Sequence, residues 1–245
     1  MALLEVRGLV KSYGKRRVVD GVSFDVDAAE VVGLLGPNGA GKTTSFRSTI
    51  GMIAPDAGSV RFDGEDVTRM PMYQRARRGM GYLSQEPSIF RALTVEQNVL
   101  AVLEMRGFTR TERLRRCSEL LDELGLARLA KQRADTLSGG ERRRLEISRT
   151  LAIEPLLILL DEPFAGIDPK VVNELRRLLA ELRKKGIGVL ITDHNYRETL
   201  ESTDRAYVIT QGRVLREGTP QELLADPEVR RQYLGDDSHA APAAG

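Results

Sequence analysis

At 245 residues and 41% hydrophobic content, the chain is long enough for one large domain or two small ones and can fill a sizeable core. Its 37 basic and 35 acidic residues leave a formal net charge of +2, which removes the electrostatic case for a binder of nucleic acid or anionic membrane. The longest apolar run, Leu156–Leu160, falls far short of the roughly 20 residues needed to cross a bilayer, and the single Cys117 excludes an internal disulfide.

The N-terminus meets an acid at Glu5 and carries no cationic segment before an apolar one, so no signal peptide is expected. The first third reads as β-rich. Leu3–Val10, Val22–Val26 and Val31–Leu35 are short apolar or alternating runs, with Lys15-Arg16-Arg17 and Asp27–Glu30 as separators. A hairpin is predicted at Asp63-Gly64, between Ser59–Phe62 and Glu65–Thr68.

The middle is helical over about 87–153. Thr94-Val95-Glu96-Gln97 has the capping-box pattern and opens a helix to about Met105. A second helix starts near Thr111 and is expected to line up Leu114, Cys117, Leu120, Leu121 and Leu124 before Gly125 stops it. Cys117, on that stripe, reads as a packed thiol rather than a reactive one.

The last third alternates strand and helix. Leu156–Leu160 is apolar on both faces, as a buried parallel strand requires. Asp168-Pro169 supplies an N-cap and a first-turn proline, with Val172, Leu175, Leu179 and Leu182 as the inward stripe. Strand Ile187–Thr192 follows, then a hairpin over Ala206–Glu217 turning at Gln211-Gly212. A final helix is capped by Thr219-Pro220-Gln221-Glu222, and the small, polar residues Asp236–Gly245 read as a disordered tail.

Chemistry concentrates at three places. Gly36-Pro37-Asn38-Gly39-Ala40-Gly41-Lys42-Thr43 has the full phosphate-loop pattern between an expected strand and an expected helix. Its glycines let backbone N–H groups turn toward phosphates, Lys42 reaches the β and γ phosphates, Thr43 offers a hydroxyl to Mg²⁺, and Thr44 completes the nucleotide-binding set. Asp161-Glu162, at the end of a buried strand, could be a simple helix N-cap. Coupled to a phosphate loop, it instead supplies one carboxylate for Mg²⁺ and one for the attacking water. Ser138-Gly139-Gly140-Glu141 is an ordinary capping box, and the same helix N-terminus is also an anion site.

With Leu137 before it, that last motif resembles the signature of the ATP-binding-cassette (ABC) family, and together the three motifs extend the resemblance to about Leu234. The resemblance implies an α/β fold: a P-loop NTPase (RecA-like) core over about 1–86 and 154–235, an antiparallel β subdomain and an α-helical insert. It implies ATP and Mg²⁺ as cofactors and a head-to-tail homodimer, in which Ser138, Gly139 and Gly140 face the γ-phosphate held by the other subunit.

Further positions match one by one: Tyr13 for adenine stacking, Gln85 for the metal and the water, His194 for the γ-phosphate, and Ala165-Gly166-Ile167-Asp168 for the loop that crosses between subunits. Read without the family, Tyr13 is a strand-end aromatic, Gln85 a loop amide and His194 the cap of the next turn. Arg142-Arg143-Arg144 reads as a solvated or phosphate-adjacent helix face, not a nucleic-acid site.

Within the family, Gly81–Arg91, Leu93–Asn98, Asp63–Thr68 and the ending Tyr233–Asp237 resemble the cytoplasmic ATPase of bacterial lipopolysaccharide export. The ATPases of branched-chain amino-acid importers come next, and the soluble ABC proteins of translation or repair more distantly. Ser84, where proline is common, and a longer tail are departures. The resemblance implies two integral-membrane partners; in the proline-containing loop after Gln85, Ile89 and Phe90 either fold back into the domain's own core or, with Arg91, line a groove that receives a short cytoplasmic helix from each partner. It also implies a cytoplasmic location, peripheral on the inner membrane through those partners, with no insertion of this chain into the bilayer.

Overall fold

The structure, a computed structural model, describes residues 2–86, 88–166 and 169–235. The expected N-cap at Asp168, its neighbour Ile167, Pro87 and the tail Asp236–Gly245 lie outside the described residues. Two sheets form the frame. The first is antiparallel, in the order β2-β1-β4-β5, from β1 (Leu4–Tyr13), β2 (Arg16–Val26), β4 (Ala57–Phe62) and β5 (Glu65–Asp66).

The second sheet has the order β10-β9-β3-β8-β7-β6, from β3 (Val31–Leu35), β6 (Met80–Leu83), β7 (Leu157–Asp161), β8 (Gly188–Thr192), β9 (Arg205–Thr210) and β10 (Arg213–Gly218). Its strands are parallel except β10, which returns against β9. Both Gln211 and Gly212 have positive φ at that turn (49° and 79°), the conformation a tight two-residue hairpin needs. Parallel pairing brings the carboxyl ends of β3, β6, β7 and β8 to one edge, where open α/β sheets carry their sites.

The strands formed longer than the apolar runs suggested. Arg16 and Arg17, expected to separate two strands, are the first residues of β2, paired with Tyr13 and Ser12. Cross-strand pairing along a hairpin tolerates charged residues where the side chains face water.

Helix α1 (Lys42–Ile50) follows β3, and α2 (Met72–Arg77), which no sequence signal announced, precedes β6. The helical insert contains α3 (Val95–Glu104), α4 (Arg110–Glu123) and α5 (Gly139–Leu151). Each opens on a complete capping box, at Thr94/Gln97, Thr109/Glu112 and Ser138/Glu141. Cys117 and Leu121 are buried on α4, whereas Leu114 is 49% exposed and leaves the expected stripe. The chain ends with α6 (Pro169–Lys184), α7 (Tyr196–Leu200), α8 (Pro220–Ala225), α9 (Pro227–Val229) and a π-type turn, Arg230–Leu234.

Four apolar clusters follow this architecture. One fills the space between the sheets around Val6, Phe24, Phe46 and Leu159. Another joins α5 and α6 to the parallel sheet through Ile147, Leu151, Leu175 and Leu179. The insert has its own core from Ile89 to Ala152, and the C-terminal turns pack on Leu35 and Val208. Among the described residues no helix is long and apolar enough to cross a membrane.

Candidate functional site

The phosphate loop leaves β3 and enters α1 as the sequence predicts. Gly36 and Gly41 are dictated by sterics: each has positive φ (145° and 104°), and an added Cβ would lie 2.0 Å from the Ile209 carbonyl oxygen or 2.7 Å from that of Val18. Gly212, in the β9–β10 turn, donates its N–H to the Ala40 carbonyl at 2.9 Å and accepts from the Asp20 N–H at 2.8 Å. That turn therefore clamps the loop from outside.

Gly41 caps α1 without any side-chain hydrogen bond. The first-turn N–H groups of α1 are thus left for a ligand, and the helix dipole favours an anion there. Asn38 and Gly39 are exposed, Ala40 is buried, and Thr43 is exposed with Thr44 partly buried beside it. Lys42 is buried, and its ammonium donates to the carbonyls of Gly36 (2.5 Å) and Pro37 (3.0 Å). Burial pulls its pKa below the usual lysine value, while the nearby negative charges of Glu162 and Asp193 oppose that shift.

Asp161 ends β7, buried, with both carboxylate oxygens engaged. Thr192, its register partner on β8, donates to Oδ1 at 2.9 Å, and the Tyr82 hydroxyl on β6 donates to Oδ2 at 3.4 Å. Glu162 has φ of 47°, a conformation that costs a non-glycine residue of order 1 kcal/mol and turns its carboxylate off the strand. Its N–H donates to the Thr192 carbonyl at 2.7 Å.

The Nδ1 of half-exposed His194 lies 3.6 Å from Glu162 Oε2 and 3.5 Å from Asp193 Oδ1. Asp193 is fully buried and accepts from the N–H groups of Phe164 and Asn195, both at 2.8 Å, tying the segment after Glu162 to the segment after β8. Lys42, Asp161, Glu162 and His194 are thereby assembled on one sheet edge. Tyr13 stands at the end of β1, 51% exposed.

Gln85 is exposed after β6 and shares a cleft of about 360 Å³ with Glu162, Gly139 and Gly140; no residue of Gly36–Thr44 lines it. Ser138 spends its hydroxyl on Glu141, donating to Oε2 at 2.7 Å. In the loop after Gln85 the three residues separate. Ile89 is buried in the insert's core, so it offers no surface to a partner, while Phe90 (48% exposed) and Arg91 face outward.

Sequence reasoning missed Tyr82, Thr192, Asp193 and Gly212 as supporting residues. Tyr82 and Asp193 adjoin recognisable motifs, but their contacts depend on strand order. The oxygens present suit a small, hard cation such as Mg²⁺: an exposed threonine hydroxyl and an oriented carboxylate, with phosphate and water to complete the shell. Among the described residues no group of three or more His, Cys, Asp or Glu could hold a metal by itself.

Residues 19–165 match the ABC transporter family. The chain is 55% identical over 234 residues to the lipopolysaccharide export system ATP-binding protein LptB of Acidithiobacillus ferridurans, covering 96% of this chain and 97% of that protein. It is 51% identical over 238 residues to the protein of the same name from Escherichia coli K12, covering 97% and 99%. Among solved structures it resembles the ADP conformation of an ATP-binding cassette of an ABC transporter, with a TM-score of 0.86 and 30% identity, over 96% of this chain and 100% of that one.

Proposed function

Because the chain belongs to the ABC transporter family, we propose that it is the ATP-hydrolysing subunit of a lipopolysaccharide exporter. It works as a head-to-tail homodimer on the cytoplasmic face of the inner membrane, bound to two integral-membrane subunits. The core of about 1–86 and 154–235 holds the nucleotide, and the insert of about 87–153 carries the signature and the docking surface.

Adenine stacks on Tyr13, and the phosphates take the N–H groups of Gly36, Asn38, Gly39, Ala40, Gly41, Lys42, Thr43 and Thr44. Lys42 moves its ammonium from the loop carbonyls to the β and γ phosphates. Magnesium, when bound, would offset phosphate charge, and Thr43, Gln85 and Asp161 would hold it. Glu162 takes a proton from the attacking water, His194 contacts the γ-phosphate, and Ser138, Gly139 and Gly140 of the partner subunit close the site.

The chemical reading is carried by the convergence of Lys42, Asp161, Glu162 and His194 on one sheet edge, with His194 Nδ1 3.6 Å from the Glu162 carboxylate. The choice of cargo rests on the likeness to the export proteins over nearly full length. Depleting the chain in the organism that makes it tests that choice. The expected result is lipopolysaccharide held at the inner membrane; loss of branched-chain amino-acid uptake with normal export would overturn it.

A further inference from the structure

Glu146 lies two turns into α5, outside every motif considered above, yet it is only 5% exposed, and a buried carboxylate needs partners to offset its desolvation. Its Oε1 accepts the Ser88 N–H at 3.0 Å, and its Oε2 accepts from the Arg143 guanidinium at 3.0 Å. The same guanidinium nitrogen donates to the Ser84 carbonyl at 3.2 Å. One carboxylate therefore holds the loop after β6 on both sides of Gln85, directly at Ser88 and through Arg143 at Ser84.

The hold is built from one face of α5. Arg143, Glu146 and Arg149 stand three residues apart, so their side chains share that face, and Arg149 adds a bond to the Ser88 carbonyl. Within the loop the Ser84 hydroxyl donates to the Glu86 carbonyl at 2.6 Å, at a position where proline is common. Gln85 is exposed between these anchors and lines the cleft of about 360 Å³ that Glu146 and Glu162 also line.

We propose that Glu146 is a positioning residue for hydrolysis: acting through Ser88 and Arg143, it sets where Gln85 stands relative to the metal and the attacking water. An exposed, flexible side chain owes its place to its backbone, and β6 ends at Leu83, so that backbone is held from α5. The same helix opens on Ser138, Gly139 and Gly140. In the proposed dimer, the helix offered to the opposite site thereby fixes Gln85 in its own.

The inference rests on the role proposed for Gln85, and the test separates the two. Glu146→Ala removes both contacts. Steady-state phosphate release should show kcat lowered about 10-fold or more, the scale of a misplaced group at the reacting centre, with KM for ATP unchanged because the phosphate loop is untouched. Without nucleotide or metal, hydrogen exchange read by mass spectrometry should speed up in a peptide covering residues 84–90. The deciding variant is double. If Glu146 acts through Gln85, Glu146→Ala adds nothing to the loss caused by Gln85→Ala; losses that multiply would overturn the proposal. Glu146→Gln keeps an oxygen for the Ser88 N–H and loses only the ionic contact, so it should restore part of the rate, and it carries the same double-variant comparison if the alanine variant does not fold. Normal turnover in Gln85→Ala would remove the premise first. A slow Gln85→Ala beside a Glu146→Ala of normal kcat would overturn the positioning role alone.

Discussion

Glu162 concentrates the logic of the site in one residue. Its left-handed backbone is tolerated because its N–H is fixed to Thr192 at 2.7 Å and the next turn is anchored through Asp193, so the strain is held by two neighbouring strands. The carboxylate that results is only partly exposed, within reach of both the loop lysine's field and His194. Glu162→Gln preserves size and backbone while removing the proposed base. It should bind MgATP normally and hydrolyse it at least about 10²-fold more slowly, in a steady-state phosphate-release assay. Near-normal turnover would assign the proton to another group. Asp161 differs in kind: Tyr82 and Thr192 fix both its oxygens, the support a carboxylate needs for the metal-holding role proposed above. Neither donor is close in sequence. Asp161 and Glu162 were legible because a buried strand ending in two acids is a local pattern, whereas Tyr82, Thr192 and Asp193 acquire meaning only after β6, β7 and β8 are laid side by side.

At the scale of elements, signals confined to one turn of chain were the readable ones. Capping boxes at Thr94, Ser138 and Thr219 all formed, since their partners lie three residues apart. Helix α2 had no such signal, and its purpose is long-range. Arg75, fully buried, donates to the carbonyls of Ser48 (3.0 Å), Thr49 (2.6 Å), Thr68 (2.9 Å) and Met70 (2.8 Å), closing the C-terminal end of α1. A cation there also complements the helix dipole. Burial pulls its pKa down to about 10 against the opposing charge of Asp66, and it stays charged at neutral pH. Arg75→Met would strand those carbonyls and should cost about 3 kcal/mol or more, read as a lower denaturation midpoint in urea. The loop after Gln85 shows the opposite limit of sequence reading. Ile89 and Phe90 look equivalent in sequence, but the fold buries the first and presents the second against Arg149, whose guanidinium stands 4.4 Å from the ring centroid. Buried Asn98 fixes the Phe90 backbone, accepting from its N–H at 2.8 Å and donating to its carbonyl at 3.0 Å. Phe90 is therefore an aromatic held rigidly at the surface, suited to anchor a partner. Phe90→Ala should fold with little change in Tm and lose about 2 kcal/mol of affinity for the membrane subunits, so that they no longer co-purify. Retained assembly would place docking elsewhere.

For the whole molecule, the two glycines that open α5 pose a question the single chain does not answer. Gly139 and Gly140 have no φ in the left-handed region, and an added Cβ at either would meet nothing within 4 Å. Neither conformation nor packing within this chain calls for glycine there, and glycine in a helix is worse than alanine by up to about 1 kcal/mol. This contrasts with Gly36 and Gly41, where the chain's own carbonyls leave no room. A second body that approaches the helix N-terminus closely would give both glycines a purpose. The head-to-tail dimer proposed above would supply it, with the ATP phosphates of one subunit against Ser138, Gly139 and Gly140 of the other. Nucleotide that is fully held only by the closed pair favours dimer by mass action, about 2.7 kcal/mol per site at a hundredfold excess over Kd. In a Glu162→Gln background the chain should sediment as a monomer without nucleotide and as a dimer with MgATP. Adding Gly140→Ala should then act in opposite directions on the two states: the nucleotide-free monomer unfolds at the same or a slightly higher temperature, while the MgATP dimer weakens or disappears. A variant that dimerises normally would show that nothing approaches α5 closely, and a variant whose monomer is destabilised would return the glycine to the chain's own packing.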